Sequence, residues 1–170
     1  MTQAELLELK EKQAGRDHYQ QPDFYSIDDL LTEEHKLIRD TVRDWVKREI
    51  SPAIDECCQH AIFPEYIKLG LGEIGCYAPQ LPAKYGCGGL DYISYGLAMQ
   101  ELERGDSGVR STASVQGSLV MYPIYKFGSE EQRRKYLPKL ATGEWMGCFG
   151  LTEPNHGSDP SGMTSRFEDK

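Results

Sequence analysis

The chain is short of most features that announce a chemistry on their own. It has no apolar run near the length of a membrane span, so no membrane insertion is expected. Met1–Gln21 is polar and acidic, with no basic stretch followed by an apolar one. Neither a secretory signal nor a mitochondrial transit peptide is expected, and the cytoplasm is the simplest location. There are five cysteines. Cys57 and Cys58 are adjacent, while Cys76, Cys87 and Cys148 are scattered with no CxxC pair. No disulfide framework or zinc site is expected, which suits a reducing compartment. No Walker loop, no GxGxxG fingerprint and no hydrolase triad occurs. His18, His35 and His60 sit in polar stretches without metal-ligand spacing, so no metal is expected. Repeats and an internal linker are also lacking.

What remains is an ordinary globular composition. The 170 residues are 39% hydrophobic and 10% aromatic, enough for one domain with a sizeable core. The net charge is −8 with both signs interspersed, which argues against a nucleic-acid partner.

Residues 1–27 read as a polar lead-in, with a short helix over Ala4–Gln13. Residues 28–143 read as a helical domain. Thr32 caps its first helix, with Glu33 and Glu34 in the first turn. Leu37, Ile38, Val42, Trp45, Val46 and Ile50 fall on one face, and Pro52 ends it. A short helix starts at Pro64 and carries Tyr66, Ile67 and Leu71. Cys76–Leu90, rich in glycine and proline, reads as loop. Asp91 caps a helix bearing Ile93, Leu97, Met99 and Leu102. Another helix is expected over Ser111–Tyr122, ending at Pro123. Ser129 to Gln132 is a capping box for the last helix, terminated by Pro138 and Gly143. Residues 144–170 read as the start of a β-domain, its first strand formed by Trp145, Met146, Cys148, Phe149 and Leu151.

The expected strand runs into a polar turn broken by Pro154 and Gly157. Backbone N–H groups that no ladder consumes lie there beside the hydroxyls of Thr152 and Ser158, and can donate to an acceptor-rich ligand. The competing reading is a strand end and turn with no ligand. His156 in that turn reads as solvent-facing, and Cys148 as a small buried apolar residue. Arg104 and Asp106 read as solvated charges. Arg110 stands beside Ser111 at a helix start, where a guanidinium can grip a carboxylate with two parallel hydrogen bonds; a structural ion pair is the alternative.

Glu101–Arg104, Arg110-Ser111, Tyr122-Pro123-Ile124, Phe127–Gln132, Tyr136-Leu137-Pro138 and Cys148–Asp159 follow, in order, the pattern of acyl-CoA dehydrogenases. The resemblance runs from about Asp28 to the end of the chain. Within that family, Asp106–Ser111 and Cys148–Asn155 most resemble glutaryl-CoA dehydrogenase.

The resemblance implies an N-terminal helical domain followed by the first strand of a truncated β-domain. It implies FAD as cofactor, lined by Phe149, Gly150, Leu151, Thr152, Glu153, Pro154, Asn155, His156, Gly157 and Ser158. The N–H groups around Leu151 and the Thr152 hydroxyl would face the pyrimidine edge of the flavin. Arg110, Ser111 and Ser158 would face the acyl-CoA, probed at its far end by Arg110. The implied reaction oxidises glutaryl-CoA and decarboxylates it to crotonyl-CoA, passing electrons to an electron-transferring flavoprotein, in a homotetramer. The family's base is a glutamate expected beyond Lys170, so this segment alone is expected to be inactive. The alternatives are a dehydrogenase for other short or branched acyl groups, a non-decarboxylating glutaryl enzyme, and a non-catalytic helical binding module.

Overall fold

The structure, a computed structural model, describes Glu5, Glu8 and residues 22–168. The helix expected over Ala4–Gln13 lies outside the described residues except at Glu5 and Glu8, which are helical. Seven α-helices follow among the described residues: α1 Glu33–Trp45, α2 Ile54–Gln59, α3 Glu65–Glu73, α4 Tyr92–Gly105, α5 Ser107–Ser114, α6 Tyr122–Phe127 and α7 Glu130–Ala141. Val46–Ile50 prolongs α1 as a π-helical turn, and Val115–Met121 joins α5 to α6 in the same way.

The helix starts are local chemistry. Thr32 accepts from the His35 N–H, Asp91 from Ser94, Asp106 from Val109 and Ser129 from Gln132. Two of the expected ends were misplaced. Pro123 does not stop its helix. It sits in the first turn of α6, where a missing N–H costs nothing, directly after the π turn has shifted the hydrogen-bond register. Pro138 lies inside α7, carried by Leu137, Leu140 and Ala141, which are buried around it. Gly143, at φ 74°, follows the end of that helix.

α1 packs lengthwise on α4, and the Ser107–Phe127 rod and α7 close the core. Ile50, Ile67, Leu71, Leu102, Met121 and Leu137 are fully buried at its centre. The glycine-rich stretch after α3 is loop except for the 3-10 turn Ala83–Tyr85, yet Cys76, Tyr77, Ala78, Leu81 and Tyr85 are buried in the same cluster. It lies so close on the rod that a Cβ at Gly117 would meet the Ala78 nitrogen at 2.9 Å.

The α1 stripe was misread at its start. Leu37 is 68% exposed, and His35, a heptad before Val42, takes the buried place. Its Nδ1 accepts from the Thr32 N–H and its Nε2 lies 2.9 Å from Asp91 Oδ2. Asp91 thereby ties the starts of α1 and α4 together. Below it, Glu101 is 1% exposed and takes a bidentate pair from Arg43 at 2.9 and 2.8 Å. Arg104 joins at 3.5 Å with its side chain largely buried, so it is not a solvated charge. A buried carboxylate is tolerable only when so fully matched.

The strand expected over Trp145–Leu151 does not form. The segment is extended loop, and among the described residues the isolated bridge is Glu153 with His156. β-like composition does not make a strand without a neighbour to complete the ladder. Cys148, expected inside, is exposed for the same reason.

Candidate functional site

Two features converge on the Ser107–Phe127 rod. The first is at its start. Arg110 Nε donates to Glu103 Oε2 at 2.6 Å, and its Nη1 lies 3.3 Å from Ser114 Oγ. Glu103 also accepts from the Ser107 hydroxyl, and these two donors lower its carboxyl below the ordinary range, Ser107 first. The structural ion pair is therefore present. Arg110 Nη2 makes no hydrogen bond among the described residues, and the side chain is 35% exposed. Ser111 is half-buried beside it.

The second feature is the loop after α7, which the rod holds through one side chain. Gln116, 1% exposed on the π-helical turn, donates from Nε2 to the carbonyls of Leu140 (3.0 Å) and Trp145 (2.8 Å). Its Oε1 accepts from the Gly147 N–H at 2.9 Å. Glycine is required at 147, because a Cβ would run into Val120. The Trp145 N–H donates to the Lys139 carbonyl, and the indole is flanked by Tyr136 and by Lys139 Nζ, 4.6 Å from the ring centre. A buried amide with both N–H donors and its oxygen engaged fixes where the following segment starts. Sequence reading missed Gln116. The available signal was a polar residue on the apolar stripe of Ala113, Gly117 and Met121.

Beyond Gly147 the chain presents itself to solvent. Phe149 is 48% exposed and Leu151 38%. Among the described residues, the N–H groups of Gly150, Leu151 and Thr152 and the hydroxyls of Thr152 and Ser158 have no partner. Glu153 and His156 then exchange both backbone hydrogen bonds, closing a tight turn over Pro154-Asn155. The His156 ring packs against Gly162, where a Cβ would displace it, so it is half-buried rather than wholly solvent-facing. Glu153 is engaged elsewhere than with these donors. Its carboxylate accepts from the N–H groups of Thr164 (2.9 Å) and Ser165 (2.8 Å) and from the Thr164 hydroxyl. Donors from Ser165 and then Thr164 hold its carboxyl down at about 2.

The loop residues Phe149–Ser158 are thus together on one exposed turn. Arg110 and Ser111 are not in hydrogen-bond contact with them. They stand on the same rod as Gln116, Arg110 six residues before it and Ser111 five, about 8–9 Å along a helix axis. The free donors suit an acceptor-rich, partly apolar ring system such as the flavin's pyrimidine edge, with Phe149 and Leu151 as apolar neighbours. Among the described residues no group of three or more potential ligands is placed to hold a metal. No helix among them is long and apolar enough to cross a membrane.

The profile of the family described as "Acyl-CoA dehydrogenase, N-terminal domain" matches residues 32–144. A probable acyl-CoA dehydrogenase of Bacillus subtilis, YngJ, is 41% identical over 138 residues, covering 80% of this chain and 36% of that protein. Two solved structures of glutaryl-CoA dehydrogenase from Mycobacterium smegmatis are similar in fold. One is 50% identical and covers 85% of this chain and 37% of its own, with a TM-score of 0.80. The other, in complex with FADH2, is 45% identical over 83% and 36%, also at 0.80. Butyryl-CoA dehydrogenase from Megasphaera elsdenii is 36% identical over 79% and 36%, with a TM-score of 0.73. The chain spans about a third of the length of the relatives it matches.

Proposed function

The chain belongs to the acyl-CoA dehydrogenase family, and on that premise we propose that it carries the helical domain and part of the flavin seat of an FAD-dependent enzyme acting on glutaryl-CoA. The observation that carries the flavin reading is the set of free donors at Gly150, Leu151, Thr152 and Ser158, on a loop fixed to the core by Gln116. When bound, FAD supplies the hydride acceptor. The chain's part is to hold it. N–H groups around Leu151 and the Thr152 hydroxyl meet the ring edge that gains negative charge on reduction, and fixed donors there favour that product. Ser158 serves both flavin and acyl-CoA.

Arg110 sets the substrate. Glu103 and Ser114 orient its guanidinium, and its Nη2 receives the distal carboxylate of glutaryl-CoA. Decarboxylation to crotonyl-CoA, electron transfer to an electron-transferring flavoprotein and a homotetramer belong to the same proposal. The catalytic base is assigned to no residue of this chain. Glu153 is unsuited to it, with its carboxylate committed to Thr164 and Ser165 and its pKa at about 2. The second reading is a neutral short acyl chain, favoured by the likeness to butyryl-CoA dehydrogenase.

The flavin reading is tested by adding FAD to the isotope-labelled chain and following its amide resonances. A site with few of its contacts binds weakly, since affinity is what remains after ordering costs. The expected result is a saturable shift of the Gly150, Leu151, Thr152 and Ser158 amides, with flavin lost on desalting. Shifts confined elsewhere, or none, would contradict it.

A further inference from the structure

Of the ten residues Phe149–Ser158, Glu153 is the one whose side chain is hydrogen-bonded among the described residues. Its backbone closes the Pro154-Asn155 turn through both hydrogen bonds with His156. Its carboxylate reaches eleven and twelve residues onward to Thr164 and Ser165. Between these two anchor points lie Gly157, Ser158 and the short 3-10 turn Pro160–Gly162, which Asp159 caps at Ser161 and His156 covers at Gly162. One side chain thus shuts a loop with its base and tip both tied. Charge-assisted bonds to backbone N–H groups are the strong kind, and the depressed carboxyl pKa reports the same arrangement.

We infer that Glu153 is a positioning residue: a clasp that closes loop 153–165 before any ligand arrives and thereby presents Ser158 and the Thr152 edge as a preformed seat. The inference rests on the reading of that seat as the flavin's. A closed loop loses less conformational freedom on binding than an open one, so the clasp raises affinity without touching the ligand. It also separates Glu153 from the flavin-contacting residues among which the family resemblance placed it.

The test uses the 170-residue chain with Glu153→Gln and Glu153→Ala. Gln keeps the size but turns one of the two acceptor oxygens into a donor facing an N–H group; Ala removes both. Amide hydrogen exchange at Thr164 and Ser165 is expected to accelerate at least about tenfold in both variants. Exchange in α4 and α7 stays as in the parent, which shows that the domain is still folded. In the same samples FAD is expected to bind at least about tenfold more weakly, its shifts falling on the same amides. In the parent chain, FAD leaves Thr164 and Ser165 protected. Unchanged exchange at these two amides in Glu153→Gln overturns the clasp, whatever the flavin does. Faster exchange with unchanged FAD affinity overturns the positioning role. Loss of their protection when FAD is added to the parent would mean that Glu153 leaves the clasp to bind flavin, which also overturns it. If FAD shifts no loop amide of the parent chain, the flavin reading itself has failed, and the exchange data judge the clasp separately.

Discussion

Replacing Gln116 by Leu keeps the volume and removes every hydrogen bond that holds the Trp145–Gly147 segment to the rod. Three bonds go: Nε2 to Leu140 and Trp145, and Oε1 from Gly147. The Leu140 carbonyl keeps the Gly143 N–H at 3.2 Å, so it is not orphaned. The other two groups are partly buried and can recover some hydration. At about 0.5–1.5 kcal/mol net per bond, less the gain from an apolar side chain, the cost is about 2–3 kcal/mol. For a chain of this size that lowers Tm by about 4–12 °C. Thermal unfolding followed by far-UV circular dichroism reads the total, and amide exchange at Gly147 reads the local release. Gln116→Glu should be worse at neutral pH, because a carboxylate there would face two carbonyl oxygens. A loss below about 0.5 kcal/mol with no faster exchange at Gly147 would refute the idea that this one amide fixes the start of the loop after α7.

Two further outcomes are expected. The Asp91 carboxyl is lowered from 3.8 to about 2, first by the Ser94 N–H and then by His35. Its contribution is therefore complete above about pH 4 and fades as pH falls through 2. An NMR titration midpoint near 2 is expected for Asp91, whereas one near 4 would mean that it does not join the two helix starts. The isolated chain should also self-associate, because Phe127, Trp145, Met146, Phe149, Leu151 and Met163 are exposed. Dynamic light scattering should show a size that grows with concentration, and a constant monomer size would contradict this.

Three helix starts were legible because a cap is settled within four residues: Thr32, Asp91 and Ser129 are found where a hydroxyl or carboxylate precedes an amphipathic run. The helix expected from Ser111 starts instead at Ser107, capped by Asp106, and Ile54–Gln59 was not foreseen. The family and its helical architecture were legible from the segments around Arg110 and Cys148–Asp159. What escaped depends on groups far apart in sequence. His35 looks polar until Asp91, 56 residues on, supplies its partner. Gln116 makes sense only once Trp145 and Gly147 lie against it. Pro123 and Pro138 misled for another reason. Proline breaks a helix by withholding one bond, and a π turn or strong burial on either side absorbs that loss. The Trp145–Leu151 strand failed because composition cannot provide a neighbouring strand. The same kind of distance hid the role of Glu153, whose partners Thr164 and Ser165 are outside the motif.

The substrate assignment rests on Arg110, and the most direct measurement is the ratio of kcat/KM for glutaryl-CoA and butyryl-CoA in the whole enzyme that carries this domain, before and after Arg110→Gln. A charge-assisted bond to the distal carboxylate should cost about 2 kcal/mol or more when its donor is removed, at least about a 30-fold loss for glutaryl-CoA. Butyryl-CoA offers no carboxylate there and should change little. An equal fall for both substrates would contradict the account: Arg110 would then serve only its ion pair with Glu103, and the glutaryl reading would lose its support.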